Sequence, residues 1–495
     1  MARLLKSVKK NFFFWGIGFL LFFIPVYPKF PLFEVSETYV HIRLEDLFVA
    51  IIVGLFFLRL FLKRDFSFLK DTLSQLIGLF FAVGFISIVS ALFITKNVVP
   101  HLALLHFLRR IEYVSLLFVA YSSFKNLKQL KIYGWTLLVA MFGVIIYGLG
   151  QKYFSWPVVS TMNKEFSQGM LLKLTWWARI NSTFAGHYDL AAFTVMILPL
   201  SIIALIIAKR WISKILVFLL TILSYYILIL TASRVSFVAY LVGVSFVLWV
   251  ARKKIWLIPF LALSILGMVL SGDLGQRYAA TFKIDLSFLS GIVVIPPRRL
   301  ALKPTVIPTP TLPAVLVTPL PGKPGAPIPT ATTTPTPTPT PLPIATASAE
   351  LFEPTALATS RSTDIRLKVE WPRAMRAFAK NPLLGTGYSS ITLATDNDYL
   401  RSLGEVGLLG SLAFMAIILE IARRIYFFLR SNVSLREERL IVLAIAGAGI
   451  GYFLNAVFID VLESSKIAFF FWILIGIALK VIDLSQAKES HMTNL

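Results

Sequence analysis

The sequence predicts an all-α membrane protein, a polytopic bundle of about 12 transmembrane helices with a long outer loop after the ninth. Three observations lead there. The chain of 495 residues is 57% hydrophobic and 15% charged, with mean hydropathy +0.78, a balance that would leave a water-soluble domain with an extensive exposed apolar surface. Its apolar residues come in continuous runs without two-residue alternation, and only helices satisfy the backbone of such runs in lipid. Its basic residues fall in every second connection between runs, the positive-inside pattern of a multi-pass protein.

The expected spans lie near 11–28, 44–62, 73–94, 101–122, 131–150, 187–208, 211–231, 235–251, 254–271, 404–422, 438–460 and 466–482. The first follows Arg3, Lys6, Lys9 and Lys10, as in a signal peptide, but "FFIPVYPKFPLF" offers no small-residue cleavage site and reads as a retained span. Basic clusters then recur at Arg59 to Lys70, Lys125 to Lys131, Lys209 to Lys214, Arg252 to Lys254 and Arg423 to Arg439. With both termini cytoplasmic, the outward connections are 29–43, 95–100, 151–186, 231–235, 272–403 and 461–465. The 48 Lys and Arg against 25 Asp and Glu, net +23, therefore report topology and not nucleic-acid binding. No cysteine is present, which excludes disulfides, Cys-based zinc sites and thiol nucleophiles.

Three regions follow: membrane helices in 1–271, a large extracytoplasmic loop in 272–403, and the last helices with a cytoplasmic tail in 404–495. Within the loop, 296–348 is almost entirely Pro, Thr, Ala and aliphatics, and reads as a disordered, polyproline-like tether or stalk. Residues 364–390 space Leu367, Trp371, Met375 and Phe378 about one helical turn apart among basic residues, an amphipathic helix for the outer membrane surface, ended by "NPLLGTG".

Ionisable groups at the apolar boundary are costly, so they head the functional candidates. Arg234 sits in "TASRVS", a turn too short to leave the outer boundary, and suits either headgroup contact or an anion clamp. Arg179, after Trp176 and Trp177, suits either an interfacial belt or the same clamp. Arg109 and Arg110 offer further cations, although Glu112 nearby permits a plain internal ion pair. His187 and Asp189 open the sixth span, where a lone histidine packs more often than it reacts. In "TDNDYLRSLGEVGLLG", one acid caps the next helix, Ser402 and Glu405 form a capping box, and Gly404, Gly407 and Gly410 make a small-residue face. Capping does not use all of Asp396, Asn397 and Asp398, so an acid here faces the arginines as a candidate base.

"RINSTFAGHYDLAAF" with "LPL", then "LILTASRVSFVA", "WPRAMRAFAKNPLLGTGYSS" and "TDNDYLRSLGEVGLLGSLAF" occur in the order and spacing of the O-antigen ligase and polymerase family of bacterial membrane glycosyltransferases. The resemblance covers roughly residues 100–480. It implies transfer of a preassembled glycan from a polyprenyl diphosphate carrier, such as undecaprenyl diphosphate, to an acceptor hydroxyl at the outer face of the cytoplasmic membrane. No metal or cofactor is implied. Matched to the family's motifs, Arg179 and Arg234 bind the diphosphate, and Asp396 stands in the slot of a ligase histidine ("HNxxL" there, "DNDYL" here); of the other candidates, Asn397 and Asp398 are expected to position the acceptor, and His187 and Arg110 to contact substrate. An aspartate, with an ordinary pKa near 3.9, is a weaker base than histidine unless desolvation raises it. The acceptor is a glycan, a lipid or a protein hydroxyl, the last making a protein O-oligosaccharyltransferase. A lipid-linked-glycan flippase is the rival from another class, for which midplane charges and repeated halves are expected. A non-catalytic scaffold displaying the Thr-rich stalk is the third reading.

Overall fold

The computed structural model describes residues 11–38, 41–161, 166–175, 178–282, 363–392, 394–431 and 436–493. Helices account for nearly all of the regular structure, and the strands form two short hairpins, β1 (Pro31–Phe33) with β2 (Ile42–Arg43), and β3 (Val158–Val159) with β4 (Leu171–Leu172). The helices are α1 (Phe12–Val26), α2 (Leu44–Lys63), α3 (Thr72–Ser90), α4 (Pro100–Ser123), α5 (Leu127–Tyr153), α6 (His187–Ile207), α7 (Trp211–Leu230), α8 (Arg234–Val250), α9 (Leu257–Leu270), α10 (Asp273–Phe282), α11 (Trp371–Lys380), α12 (Asp398–Arg430), α13 (Arg436–Asn455) and α14 (Ser465–Thr493). The chain is thus an all-α, multi-pass membrane protein.

Every expected span coincides with a helix, but fewer meet the demands of a membrane crossing. Among the described residues six helices are long and apolar enough, α3 with its π-helical extension to Thr95, α5, α6, α7, α12 and α14, or seven if the bent pair α9 and α10 makes one span. Charge explains part of the difference from twelve. Helices α2 and α4 carry Glu45, Asp46, Arg109, Arg110 and Glu112, and these turn inward: Arg109 Nη2 lies 3.2 Å from Asp46 Oδ2, and Arg110 pairs with Glu463.

Helix α14 lies at the centre, its apolar window 83% buried. Small residues let its neighbours approach: a Cβ at Gly476 would meet Leu117 O of α4 at 2.3 Å, and one at Gly243 of α8 would meet Gly447 O of α13 at 2.7 Å. Lys466, buried at the start of α14, donates to the carbonyls of Tyr27 and Thr183, and so ties α14 to the connections after α1 and before α6.

Two features shape the end of the bundle where α8 begins. Helix α10 bends 96° from α9 at Gly272, which has φ +71°, a left-handed backbone that glycine adopts without steric cost. Helix α12 is broken at Gly407 (φ +66°), where the 382–387 loop docks its backbone: Leu408 N and Leu409 N donate to Pro382 O and Leu383 O, while Thr386 N and Gly387 N donate to Gly404 O and Glu405 O. The expected glycine face of 404–410 is therefore used to admit a loop, not to pack two helices. The amphipathic helix expected over 364–390 is shorter, a π-helical turn Arg366–Glu370 leading into α11 and ending at Lys380, after which Asn381 and "PLLGTG" form the docked loop. The Thr/Pro tract at 296–348 and the Trp176 and Trp177 pair lie outside the described residues.

Candidate functional site

The "TASR" turn is rigid for local reasons. Ala232 has φ +50°, Ser233 caps α8 by accepting from Ser236 N, and Ser236 Oγ donates to Asn455 Oδ1 at the end of α13. Arg234 is thereby fixed at the first position of α8, and it donates to Thr281 Oγ1 of α10 while its carbonyl accepts from Tyr278 Oη at 2.6 Å.

Around it opens a cleft lined by Arg179, Tyr188, Ala232, Ser233, Arg234, Val235, Arg277, Arg366, Phe458 and Ile459. Among the described residues, four guanidinium groups and no carboxylate line it. Both expected arginines are present, joined by two that the sequence did not single out. Arg277 arrives because α10 folds back across the end of α8, and Arg366 because the turn before α11 aims at the same opening. An amphipathic pattern in "GDLGQRYAATF", and the arginine about one turn before Trp371, were the only signals for them.

The partners of these cations decide the site's character. Arg179 Nη1 donates to His187 Nε2 at 2.7 Å; a guanidinium has only donors, so that nitrogen accepts and the imidazole is neutral there. Arg277 Nε is buried without a hydrogen-bond partner among the described residues. Among the described residues only Arg366 has a carboxylate: its Nε and Nη2 donate to Asp396 Oδ2 at 2.9 and 2.6 Å, and it also hydrogen-bonds Tyr188. Three of four neighbouring cations thus lack a carboxylate within 4.0 Å among the described residues, and they repel one another. Half-buried like charges are tolerated when an anion joins them. The N-terminal end of α8 faces the same cleft and adds its positive dipole.

The acidic edge is held by Asp460. Its Oδ2 accepts from Thr395 N at 2.9 Å and Arg401 Nη1 at 3.1 Å, and its Oδ1 accepts from Asn397 N at 3.2 Å. Between those two amides Asp396 adopts φ +49°, a left-handed conformation that aspartate tolerates better than most residues. Burial raises the pKa of Asp396, with Asp460 adding to the rise and Arg366 opposing it. Asn397 caps α12 by accepting from Leu400 N, and Asp398 Oδ2 accepts from Leu462 N at 2.9 Å. The capping role expected of Ser402 and Glu405 falls to Asn397; Ser402 bonds Ser411, and Glu405 pairs with Arg401.

Arg110 stands apart from the four-arginine cleft. It donates to Leu462 O at 2.8 Å, pairs with Glu463, and lines a separate cavity with Tyr113, Tyr388, Asp398 and Glu405. The structure brings Arg179, His187, Arg234 and Asp396 to one place; Asn397, next to Asp396, is bonded into the fold by its cap, and Asp398 lines the separate cavity with Arg110.

These features define a class: a multi-pass helical membrane protein with a cationic cleft that pairs with a carboxylate, Asp396, at its edge. Residues 216–415 match the sequence model of the family described as O-antigen ligase. The matched stretch, about two fifths of the chain, is similar to the family that its motifs led us to expect. The matched stretch includes Arg234, Arg277, Arg366 and Asp396, whereas Arg179 and His187 precede it. A search of curated proteins found no match to the chain.

Proposed function

We propose that the protein is a glycosyltransferase that moves a glycan from a polyprenyl diphosphate carrier to an acceptor hydroxyl at the outer face of the cytoplasmic membrane. In this reading both termini are cytoplasmic and the large loop is extracytoplasmic. The observation that carries it is the set of four arginines in one cleft, only one of them matched by a carboxylate among the described residues.

The acceptor oxygen forms a bond to the anomeric carbon as that carbon's bond to the diphosphate oxygen breaks. The bonding pair leaves with the diphosphate, and the hydroxyl proton passes to a carboxylate beside the cleft. Charge therefore grows on the leaving group during the reaction. Arginines already fixed by Thr281, His187 and Asp396 stabilise that charge with little reorganisation, so they favour the transition state over the bound donor. Planar guanidinium matches phosphate oxygens in a bidentate manner, which lysine does not.

Purified protein in liposomes, given a donor labelled on both lipid and sugar, is expected to release polyprenyl diphosphate only when an acceptor is present, with equal label gained by the acceptor. Passage of intact donor between leaflets without cleavage would instead identify a flippase and sink the transferase reading.

A further inference from the structure

We propose that Glu370 takes the acceptor's proton, and that Asp396 is a positioning residue whose task is to aim Arg366. The proposal rests on the transfer reading above and assigns the proton acceptor within it.

Asp396 is poorly placed to accept a proton. One of its oxygens receives both the Nε and Nη2 hydrogens of Arg366, and the amides on either side of it are pinned by Asp460. Charge-assisted bonds of this kind favour the ionised carboxylate and use its lone pairs. Removing Arg366 from Asp396 to free the base would also remove a cation from the leaving group's side of the cleft.

Glu370 has the opposite arrangement. Its Oε2 is buried and has no hydrogen-bond partner among the described residues. A buried acceptor left unmet is costly, and a donor hydroxyl would offset that cost. Its position is fixed by two neighbours at the cleft. Arg366, four residues earlier in the same π-helical turn, lines the cleft, and Trp371, the next residue, sets its ring 6.0 Å from that of Phe458, which also lines it. The turn is closed by Trp371 N donating to Arg366 O; such π-turns occur often at functional sites because they re-aim side chains out of the helical register. One short helix therefore holds a ligand for the leaving group at one end and, at the other, a carboxylate with one buried oxygen that lacks a partner among the described residues.

The charges around Glu370 set its proton affinity. Asp396 and Asp460, from the 394–398 loop and the turn after α13, disfavour its ionisation, while Arg366 and Arg373 on its own helix favour it. Burial and the two acids prevail, and the carboxyl is pushed up to about 7. A base of that strength is half ionised near neutral pH and strong enough to accept a proton in the transition state.

The test follows acceptor-dependent release of polyprenyl diphosphate by the full-length protein in liposomes, from about pH 5 to about pH 9. Wild-type kcat is expected to rise with pH through an inflection near 7. Glu370→Gln is expected to lower kcat by about 10²–10⁴-fold, to erase that inflection and to leave the KM for donor nearly unchanged. Glu370→Asp retains part of the rate with the inflection displaced. Asp396→Asn removes a neighbouring negative charge, so the inflection moves to lower pH, while the donor KM rises because Arg366 is no longer aimed. Glu370→Gln with kcat within about threefold of wild type, or an Asp396→Asn profile without any inflection, would overturn the proposal. If Glu370→Gln does not fold, the Glu370→Asp and Asp396→Asn profiles decide by the same criteria. Absence of polyprenyl diphosphate release by the wild type is a different failure, and sinks the transfer reading first.

Discussion

Arg234→Ala is expected to reduce the rate of glycan transfer by about 10²–10³-fold while the protein still inserts and folds. Arg234 occupies the first position of α8, where its side chain reaches a hydroxyl, Thr281, and where no carboxylate within 4.0 Å shares its charge among the described residues. Its loss therefore removes a cation from the anion's surroundings without stranding an acid in the fold, and folded-state stability changes little. Arg234→Lys is expected to recover only a minor part of the rate, since an ammonium cannot bridge two phosphate oxygens in one plane. Initial rates in liposomes, with thermal unfolding in detergent as the control for folding, check both variants. A rate for Arg234→Ala within about tenfold of wild type would mean that the cleft does not bind the leaving group.

The second large effect concerns architecture. Gly407→Ala is expected to destabilise the protein by about 2–5 kcal/mol and to abolish transfer, although Gly407 does not line the cleft. At φ +66° an alanine is strained, and its Cβ would stand 2.4 Å from Leu383 O and 2.5 Å from Gly385 N, backbone atoms that cannot rotate away. The 382–387 loop would leave the break in α12 and carry α11 with it, and the turn bearing Arg366 and Glu370 would move. Leu408→Ala provides the contrast: this side chain is 42% exposed, so unfolding temperature and activity should change little. Equal stability of Gly407→Ala and wild type would show that the break in α12 is not needed.

Much of the fold was legible because apolar runs and basic clusters state where helices start and stop. The number of crossings was less legible, since runs such as 44–62 and 101–122 hold ionisable residues that the sequence leaves unpaired and the fold pairs, Arg109 with Asp46 among them. At the site, Arg179 and Arg234 stood out because a charge beside an apolar run needs a reason. Arg277 and Arg366 looked like ordinary loop cations, and only the bend at Gly272 and the π-helical turn bring them in. The meaning of "TDND" depended equally on distant residues: Asp460 and Leu462, more than sixty positions away, decide which of its polar groups are committed. The glycines of 404–410 were read as a packing face because composition signals closeness of approach, and closeness to a loop or to a helix looks the same in one dimension.

The cleft is assembled from five stretches of chain, around residues 179–188, 232–235, 277, 366 and 458–459, which meet only in the native bundle. A diphosphate that binds there binds no unfolded form, so ligand occupancy and global folding are thermodynamically linked. At a ligand concentration 100 times its dissociation constant, the folded state gains about 2.7 kcal/mol, so polyprenyl diphosphate should raise the unfolding temperature of the wild type and leave that of Arg234→Ala nearly unmoved. Under the proposed function the product of the reaction is expected to act as a conformational stabiliser of its own enzyme, and thermal shift in detergent tests occupancy of the cleft without any acceptor, sugar or turnover.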